Sequence, residues 1–299
     1  MLYEIALPAL LLRGAVQRLR PATVMRPAPV PGMRLRAQKC RLRRQELDWL
    51  CRVSPRLGAR LVLARIERVP RDLRCRKAPA IRVFGEAGQP KLLLLHGWNA
   101  TGAMMHPLAQ RLARLGFSVT VPELTAPGLA PHGRFEPLHV ARMLARQFGA
   151  AGPYAAVIGH SAGGLVGALA ASEGLGAARI VTISSSASLG SLYAGYLKFT
   201  DAPAALQSAV PACYRARYGR DPAQVGPAEY RRFGAAQLVL HARNDWQVAP
   251  AAAYRICAER PDLQPRFLDA CNHRTVLEHP DLADIVARFA LCGPEVAAC

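Results

Sequence analysis

The sequence lacks a long hydrophobic run, closely paired cysteines and an abundance of lysine. No window approaches the 18 or more consecutive apolar residues that a membrane-spanning helix requires. The eight cysteines form no C-x-x-C pair, and no Cys/His cluster has the spacing of a zinc site. A chain of 299 residues has little need of disulfides, so we predict reduced thiols and a cytoplasmic location. The alternative is an exported protein with oxidised cysteine pairs.

The composition is that of a folded protein with a large core. The chain is 51% hydrophobic and 20% charged, which excludes an intrinsically disordered chain and a disulfide-stabilised mini-protein. At this length, one large α/β domain with an appendage is expected. Such a core is large enough to exclude water from a buried reactive site.

The positive charge is concentrated in the first third of the chain. Residues 1–90 carry 20 basic and 6 acidic residues, a net charge of +14, whereas the remaining residues carry only +5. Just four of the 39 basic residues are lysine. We favour compositional bias over a nucleic-acid-binding surface as the origin of this charge, and we expect no nucleic-acid partner.

Residues 1–80 are predicted to form a basic N-terminal extension. An apolar stripe at helical spacing runs through residues 2–19, but Glu4 and Arg13 do not fit a secretory signal. This stripe is interpreted as a helix that packs on its own domain, with peripheral membrane contact as the less favoured alternative. Four prolines in residues 21–31 indicate a linker, and residues 34–66 are predicted to be helical with an interruption at Pro55.

From residue 91 onward, strand and helix patterns alternate, which predicts a mostly parallel sheet with helices between its strands. Ligands of such sheets bind at the carboxyl ends of the strands. Residues 187–235 break the alternation and are rich in tyrosine and phenylalanine, which indicates an inserted lid. The predicted strands are 82–84, 92–95, 117–121, 154–158, 180–183, 238–240 and 267–268. The predicted helices are 104–115, 138–148, a helix after Gly159 that ends at 171, and 282–289.

The strongest chemical signal is a G-x-S-x-G sequence between a predicted strand and a predicted helix. Gly159 and Gly163 flank Ser161 at two residues on either side. A turn this sharp leaves no space for side chains at the two glycines, and it strains the serine backbone so that the hydroxyl is exposed. Ser161 is therefore the predicted nucleophile.

A nucleophilic serine needs a general base, and the base needs an orienting acid. Asp245 and His273 each follow a predicted strand, so both are expected at the same edge of the sheet as Ser161. We assign His273 as the base and Asp245 as the acid. Asp269 and His279 are the weaker alternatives for these two roles.

Two backbone amides are expected to bind the oxyanion of the transition state. One is the amide of Ala162, at the start of the helix that follows the serine. The other is the amide of Trp98, in a loop after a strand in which Gly97 allows close approach and His96 fixes the conformation.

Residues from about 80 to 292 resemble bacterial members of the α/β-hydrolase fold family. The resemblance implies an eight-stranded, mostly parallel sheet with helices on both faces, in a domain spanning 81–299, with the lid at 187–235. It also implies a broad range of chemistries. The features that carry the resemblance are, in chain order, the run His96-Gly97-Trp98, the turn Gly159–Gly163, Asp245 and the run Asn272-His273-Arg274-Thr275-Val276-Leu277.

The sequence thus predicts a serine hydrolase that cleaves a small carboxylic ester or thioester through an acyl-enzyme. We expect neither a metal nor an organic cofactor. Two alternatives remain open. The same residues could transfer the acyl group to an alcohol or amine, or the chain could be a non-catalytic binding protein that uses its basic N-terminal region.

Overall fold

The computed structural model describes residues 45–70, 73, 80–233 and 236–292. The predicted N-terminal stripe and the proline-rich linker lie outside these ranges. In the described part of the chain, no helix has the length and apolar character needed to cross a membrane. The cysteines within these ranges are free thiols at positions 51, 213, 257, 271 and 292.

The centre of the molecule is a seven-stranded sheet with the strand order β1-β3-β2-β4-β5-β6-β7. Strand β1 pairs antiparallel with β3, and all the other neighbouring strands are parallel. The strands are Ile81–Phe84 (β1), Lys91–Leu95 (β2), Ser118–Pro122 (β3), Ala156–His160 (β4), Arg179–Ile183 (β5), Ala236–Ala242 (β6) and Arg266–Leu268 (β7). The predicted parallel sheet is therefore confirmed.

Helices connect the strands. They are 45–53 (α1), Pro55–Glu67 (α2), His106–Arg114 (α3), Pro137–Phe148 (α4), Ala162–Ser172 (α5), Leu189–Phe199 (α6), Leu206–Tyr218 (α7), Pro227–Arg232 (α8), Ala251–Ala258 (α9) and Leu282–Cys292 (α10). The predicted start at 104 is wrong for α3. A short 3-10 helix, Gly102–Met105, precedes it, and Pro107 lies in its first turn.

Apolar side chains cover both faces of the sheet because neighbouring residues of a strand point to opposite faces. Leu93 and Leu95 pack with α2, α4 and α5 on one face, while Leu92 and Leu94 pack with α3 and α10 on the other. Strand β4 is buried along its whole length, as expected for a central parallel strand. These two layers hold the carboxyl ends of β2, β4, β5 and β6 at one edge of the molecule.

The resemblance implies eight strands, but the described residues form seven. Before β1, residues 45–53 and 55–67 form α1 and α2, and residues 71, 72 and 74–79 lie outside the described part.

The predicted insertion between β5 and β6 contains three helices, α6, α7 and α8. Helix α7 packs on α2, and residues of both helices share a hydrophobic core with the sheet. The end of the N-terminal extension is thus in contact with this insertion. A domain boundary at residue 80 and the function of 187–235 as a lid stay predictions.

Candidate active site

Ser161 occupies a strained turn between β4 and α5. Its backbone has φ 55° and ψ −125°, a conformation that is costly for a residue with a side chain. The strand ends at His160 and the helix begins at Ala162, so Ser161 is the single residue of the connection. Its amide donates to the carbonyl oxygen of Ile183 at 2.9 Å, which ties the turn to β5.

The two glycines around Ser161 are required by space. A Cβ at Gly159 would lie 2.3 Å from backbone atoms of Gly163. A Cβ at Gly163 would lie 2.3 Å from the carbonyl oxygen of Leu95. Both distances are far below van der Waals contact. The backbone of α5 therefore approaches β2 and β4 closely enough to bring Ser161 beside the loop that follows β2.

Asp245 and His273 form a buried pair at the ends of β6 and β7. His273 Nδ1 lies 2.7 Å from Asp245 Oδ2, and both residues are almost fully buried. The second carboxylate oxygen, Oδ1, accepts the amides of Gln247 and Val248 at 2.9 and 2.8 Å. The loop backbone therefore fixes the carboxylate, and the carboxylate fixes the imidazole.

The ionised form of Asp245 is favoured in this environment. Burial alone raises the pKa of Asp245, but the hydrogen bond and the charge of His273 outweigh burial and hold the pKa below its usual value. The amide of Val248 acts in the same direction. Ionised Asp245 accepts the Nδ1 proton, which leaves Nε2 as the nitrogen available for proton transfer.

His160 lies directly beneath His273. Its Nε2 donates to the carbonyl oxygen of His273 at 2.7 Å, and the two ring centroids are 4.7 Å apart. Burial, together with the charge of His273, lowers the pKa of His160 to about 3. His160 is therefore neutral and supports the backbone of His273.

Ser161 and His273 are brought to the same rim through His160, the residue that precedes the serine. Within the described residues, no hydrogen bond joins Ser161 Oγ to His273 Nε2. Hydrogen bonds between a nucleophile and its base often become short only when substrate is bound. The structure therefore shows the pair of His273 and Asp245 and connects it to Ser161 through His160.

The loop after β2 passes over Ser161. A Cβ on Gly97 would lie 3.1 Å from Ser161 Cβ and 3.5 Å from Ser161 Oγ, so a larger residue at this position would crowd the serine. The Trp98 indole Nε1 donates to the carbonyl oxygen of Ile66 in α2 at 3.0 Å, and its ring meets Tyr196 of α6 edge-on. Trp98 directly follows Gly97 in this loop, and Ala162 directly follows Ser161 as the first residue of α5.

A buried contact between His96 and Glu123 fixes this loop from below. The ring nitrogens of His96 lie 2.9 Å from the carbonyl oxygen of Gly97 and 2.8 Å from Glu123 Oε1. Burial raises the pKa of Glu123, but the contact with His96 and two further hydrogen bonds outweigh it and lower the pKa to about 2. Sequence reasoning missed Glu123, although its position directly after β3 was a usable signal.

The alternative acid and base have other partners. Asp269 is on the surface, with a side chain 71% exposed, and pairs with Arg243 rather than with His273. His279 accepts the amide of Asp281 at the start of α10. His241 is buried within β6, with Nε2 2.9 Å from the carbonyl oxygen of Val248.

A second cluster of buried polar groups joins the insertion to the rest of the protein, and sequence reasoning also missed it. Glu67, the last residue of α2, accepts the Tyr218 hydroxyl at 2.6 Å and pairs with Arg134. Glu136 accepts the Tyr214 hydroxyl at 3.0 Å. The partners are separated by 67 or more residues, so no local pattern indicates these contacts.

An apolar pocket lies between α2, the loop after β2 and α6. It is lined by Ile66, Trp98, Phe135, Pro137, Leu189, Leu192 and Tyr193. Its volume is about 10 Å³, roughly the space that one water molecule needs. One of its lining residues, Trp98, directly follows Gly97 in the loop that passes over Ser161.

Comparisons with known proteins agree with this architecture. A family model described as alpha/beta hydrolase fold matches residues 90–205. No protein with a curated description matches the chain.

Solved structures with a similar fold include two that are described as esterases and one that is described as a thioesterase domain. A carboxylesterase of Nitrososphaera gargenis has a TM-score of 0.53 at 19% identity, covering 70% of this chain and 92% of its own. An esterase of Rhodococcus has a TM-score of 0.51 at 20% identity, covering 72% and 94%. The thioesterase domain of the curacin biosynthetic pathway has a TM-score of 0.50 at 13% identity, covering 71% and 94%. Together with the sheet topology and the turn at Ser161, these matches show that the chain has an α/β-hydrolase fold.

Proposed function

We propose that this protein is a serine hydrolase that cleaves a carboxylic ester or thioester through an acyl-enzyme. The observation that supports this most strongly is the pair of Asp245 Oδ2 and His273 Nδ1 at 2.7 Å, next to a serine held at φ 55° on a strand-to-helix turn. A structural serine does not need this strain, because a glycine would adopt the same backbone at lower cost.

In the proposed reaction, Ser161 Oγ attacks the acyl carbon while His273 Nε2 accepts the hydroxyl proton. The amides of Trp98 and Ala162 bind the oxyanion, an interaction that typically contributes a factor of about 10²–10³ in rate per donor. His273 then protonates the leaving group, and the bond between the acyl carbon and the leaving group breaks. Water, deprotonated by His273, attacks the acyl-enzyme and releases the acid and free Ser161.

Asp245 orients the imidazole and stabilises its positive charge during both steps. Its carboxylate is suited to this because two backbone amides fix one oxygen and leave the other for His273. The esterase and thioesterase descriptions of the similar folds support an ester or thioester substrate, at identities that carry fold similarity alone.

The decisive experiment compares Ser161→Ala with the matched control Ser172→Ala. Ser172 is the last residue of α5 and is exposed, so its substitution leaves the same helix intact. We expect Ser161→Ala to abolish turnover of p-nitrophenyl acetate, and we expect the control to retain it. A fluorophosphonate probe is expected to label Ser161 in the wild-type chain, as shown by mass spectrometry of the modified peptide.

Retention of full activity in Ser161→Ala would overturn the assignment of the nucleophile. Labelling of a different serine would have the same consequence.

A further inference from the structure

We propose that the apolar pocket beside Trp98 binds the acyl group, and that the end of α2 forms a wall that restricts this group to a short chain such as acetyl or propionyl. This inference rests on the proposed function, because it assigns the substrate class of the same site. It adds a role for a helix that precedes the hydrolase sheet.

The first argument for an acyl-binding role is the location of the pocket. Trp98 lines it, and the neighbouring Gly97 is so close to the nucleophile that a Cβ there would lie 3.5 Å from Ser161 Oγ. An acyl carbon bound to Ser161, with its oxygen on the Trp98 amide, directs the remaining acyl chain toward the Trp98 side chain. The pocket is the apolar space that begins at this side chain.

The second argument, for a short hydrocarbon chain, is the lining and size of the pocket. Ile66, Phe135 and Leu192 provide aliphatic and aromatic surface, which favours a hydrocarbon chain over a charged group. A volume of about 10 Å³ accommodates one small group of the size of a water molecule or a methyl. A longer chain fits only if one of the walls moves.

The wall from α2 is fixed by several independent contacts. The carbonyl oxygen of Ile66 accepts the Trp98 indole at 3.0 Å. The next residue, Glu67, accepts the Phe135 amide through its backbone at 2.7 Å and the Tyr218 hydroxyl through its carboxylate at 2.6 Å. Ile66 itself is only 2% exposed. These contacts connect the wall to two other lining residues, Trp98 and Phe135, and to Tyr218 of α7, and they oppose its displacement by a long acyl chain.

The contribution of α2 lies outside the range that the family model matches. The match to the family model begins at residue 90, after Ile66 and Glu67. The other pocket residues lie within the matched range, up to Tyr193. The length limit on the acyl group is therefore set in part by a segment that the family model does not include.

The test measures kcat/KM for p-nitrophenyl acetate, butyrate and octanoate with the full chain. We expect the wild type to favour acetate over octanoate. Leu192→Ala and Ile66→Val enlarge the pocket, and we expect each to raise the octanoate-to-acetate ratio, by about tenfold or more for Leu192→Ala. Leu291→Ala serves as the control because Leu291 is 55% exposed on α10 and does not line the pocket.

Labelling by a small fluorophosphonate, measured in parallel with thermal melting, separates failure of this inference from failure of the proposed function. A wild-type preference for octanoate, or unchanged ratios in folded, labelled variants, would overturn the pocket assignment while the hydrolase remains. Absence of both labelling and turnover in the wild type would overturn the proposed function, and the pocket assignment would fall with it.

Discussion

Two buried carboxylates in this protein have nearly the same local geometry and opposite electrostatic behaviour. Asp245 and Glu136 each accept hydrogen bonds from two backbone amides. The next partner of Asp245 is an imidazole, which holds the pKa of Asp245 below its usual value despite burial. The next partner of Glu136 is the Tyr214 hydroxyl, and here burial prevails and raises the pKa of Glu136.

The difference lies in the partner rather than in the burial or the backbone. An imidazole can take up positive charge, so it stabilises the carboxylate and makes Asp245 suitable for a proton-transfer site. A tyrosine hydroxyl donates a hydrogen bond without charge, so it stabilises the carboxylate less. We interpret Glu136 and the neighbouring Glu67 as contacts that hold the inserted helices on the body of the protein, outside the chemistry.

The largest expected effect, on kcat, comes from removing the negative charge of Asp245. Asp245→Asn keeps the size of the side chain but removes the carboxylate that keeps the proton of neutral His273 on Nδ1. We expect kcat for p-nitrophenyl acetate to fall by roughly 10⁴-fold, the order found when the acid of a Ser-His-Asp triad is neutralised. Steady-state kinetics on the folded variant measures this effect.

Asp269→Asn is the matched control, because Asp269 is the nearest other aspartate in sequence to His273 and pairs instead with Arg243 on the surface. We expect activity close to that of the wild type. The reverse ranking of the two variants would transfer the orienting role to Asp269 and end the contrast between Asp245 and Glu136.

The geometry at Ser161 could be predicted because it depends on local sequence. Gly159 and Gly163 are required by contacts within four residues or with the adjacent strand, and the strand pattern around them was visible. The positions of Asp245 and His273 followed from a general property of parallel sheets, whose strands end at one edge. The order of residues along the chain was therefore sufficient to bring these groups together.

The cluster around Glu67 and Glu136 could not be predicted in the same way. Its contacts join residues 67 and 218, or 136 and 214, and depend on how α7 packs on α2. Side-chain packing between helices leaves no spacing rule in the sequence. The eighth strand was expected from the resemblance alone, and the described residues form seven strands.

A smaller effect, on the free energy of unfolding, is expected from His160, the buried histidine under His273 and Asp245. The unfolded chain protonates His160 below about pH 6.5, whereas in the folded protein its pKa is lowered to about 3. The unfolded state therefore binds more protons between these values, and the free energy of unfolding decreases as the pH falls below about 6.5. For one group the slope approaches about 1.4 kcal/mol per pH unit, or roughly 2 kcal/mol between pH 6.5 and 5.

Urea unfolding at a series of pH values measures this slope in the wild type and in His160→Asn, which cannot titrate. We expect a shallower acid dependence in the variant, whatever its stability at pH 7. His132→Asn is the control, because His132 is exposed and its positive φ suits asparagine. Equal slopes in wild type and His160→Asn would show that His160 is not a buried neutral group.

The smallest expected effects, again on the free energy of unfolding, distinguish two neighbouring tyrosines near Glu136, Tyr214 and Tyr193. Tyr214→Phe removes the hydroxyl that donates to Glu136 and leaves a buried acceptor with one partner fewer, at an expected cost of about 1–2 kcal/mol in the free energy of unfolding. Tyr193 is equally buried, and its ring lies 5.6 Å from that of Tyr214.

The Tyr193 hydroxyl has no hydrogen-bond partner among the described residues, so Tyr193→Phe removes an unsatisfied polar group. We expect unchanged stability or a gain of up to about 1 kcal/mol, measured by urea unfolding beside Tyr214→Phe. Because both changes delete one oxygen from neighbouring buried rings, the difference between them isolates the hydrogen bond to Glu136. If both variants lose the same stability, the hydroxyl of Tyr214 contributes no more than that of Tyr193, and Glu136 does not hold α7 in the way that Asp245 holds His273.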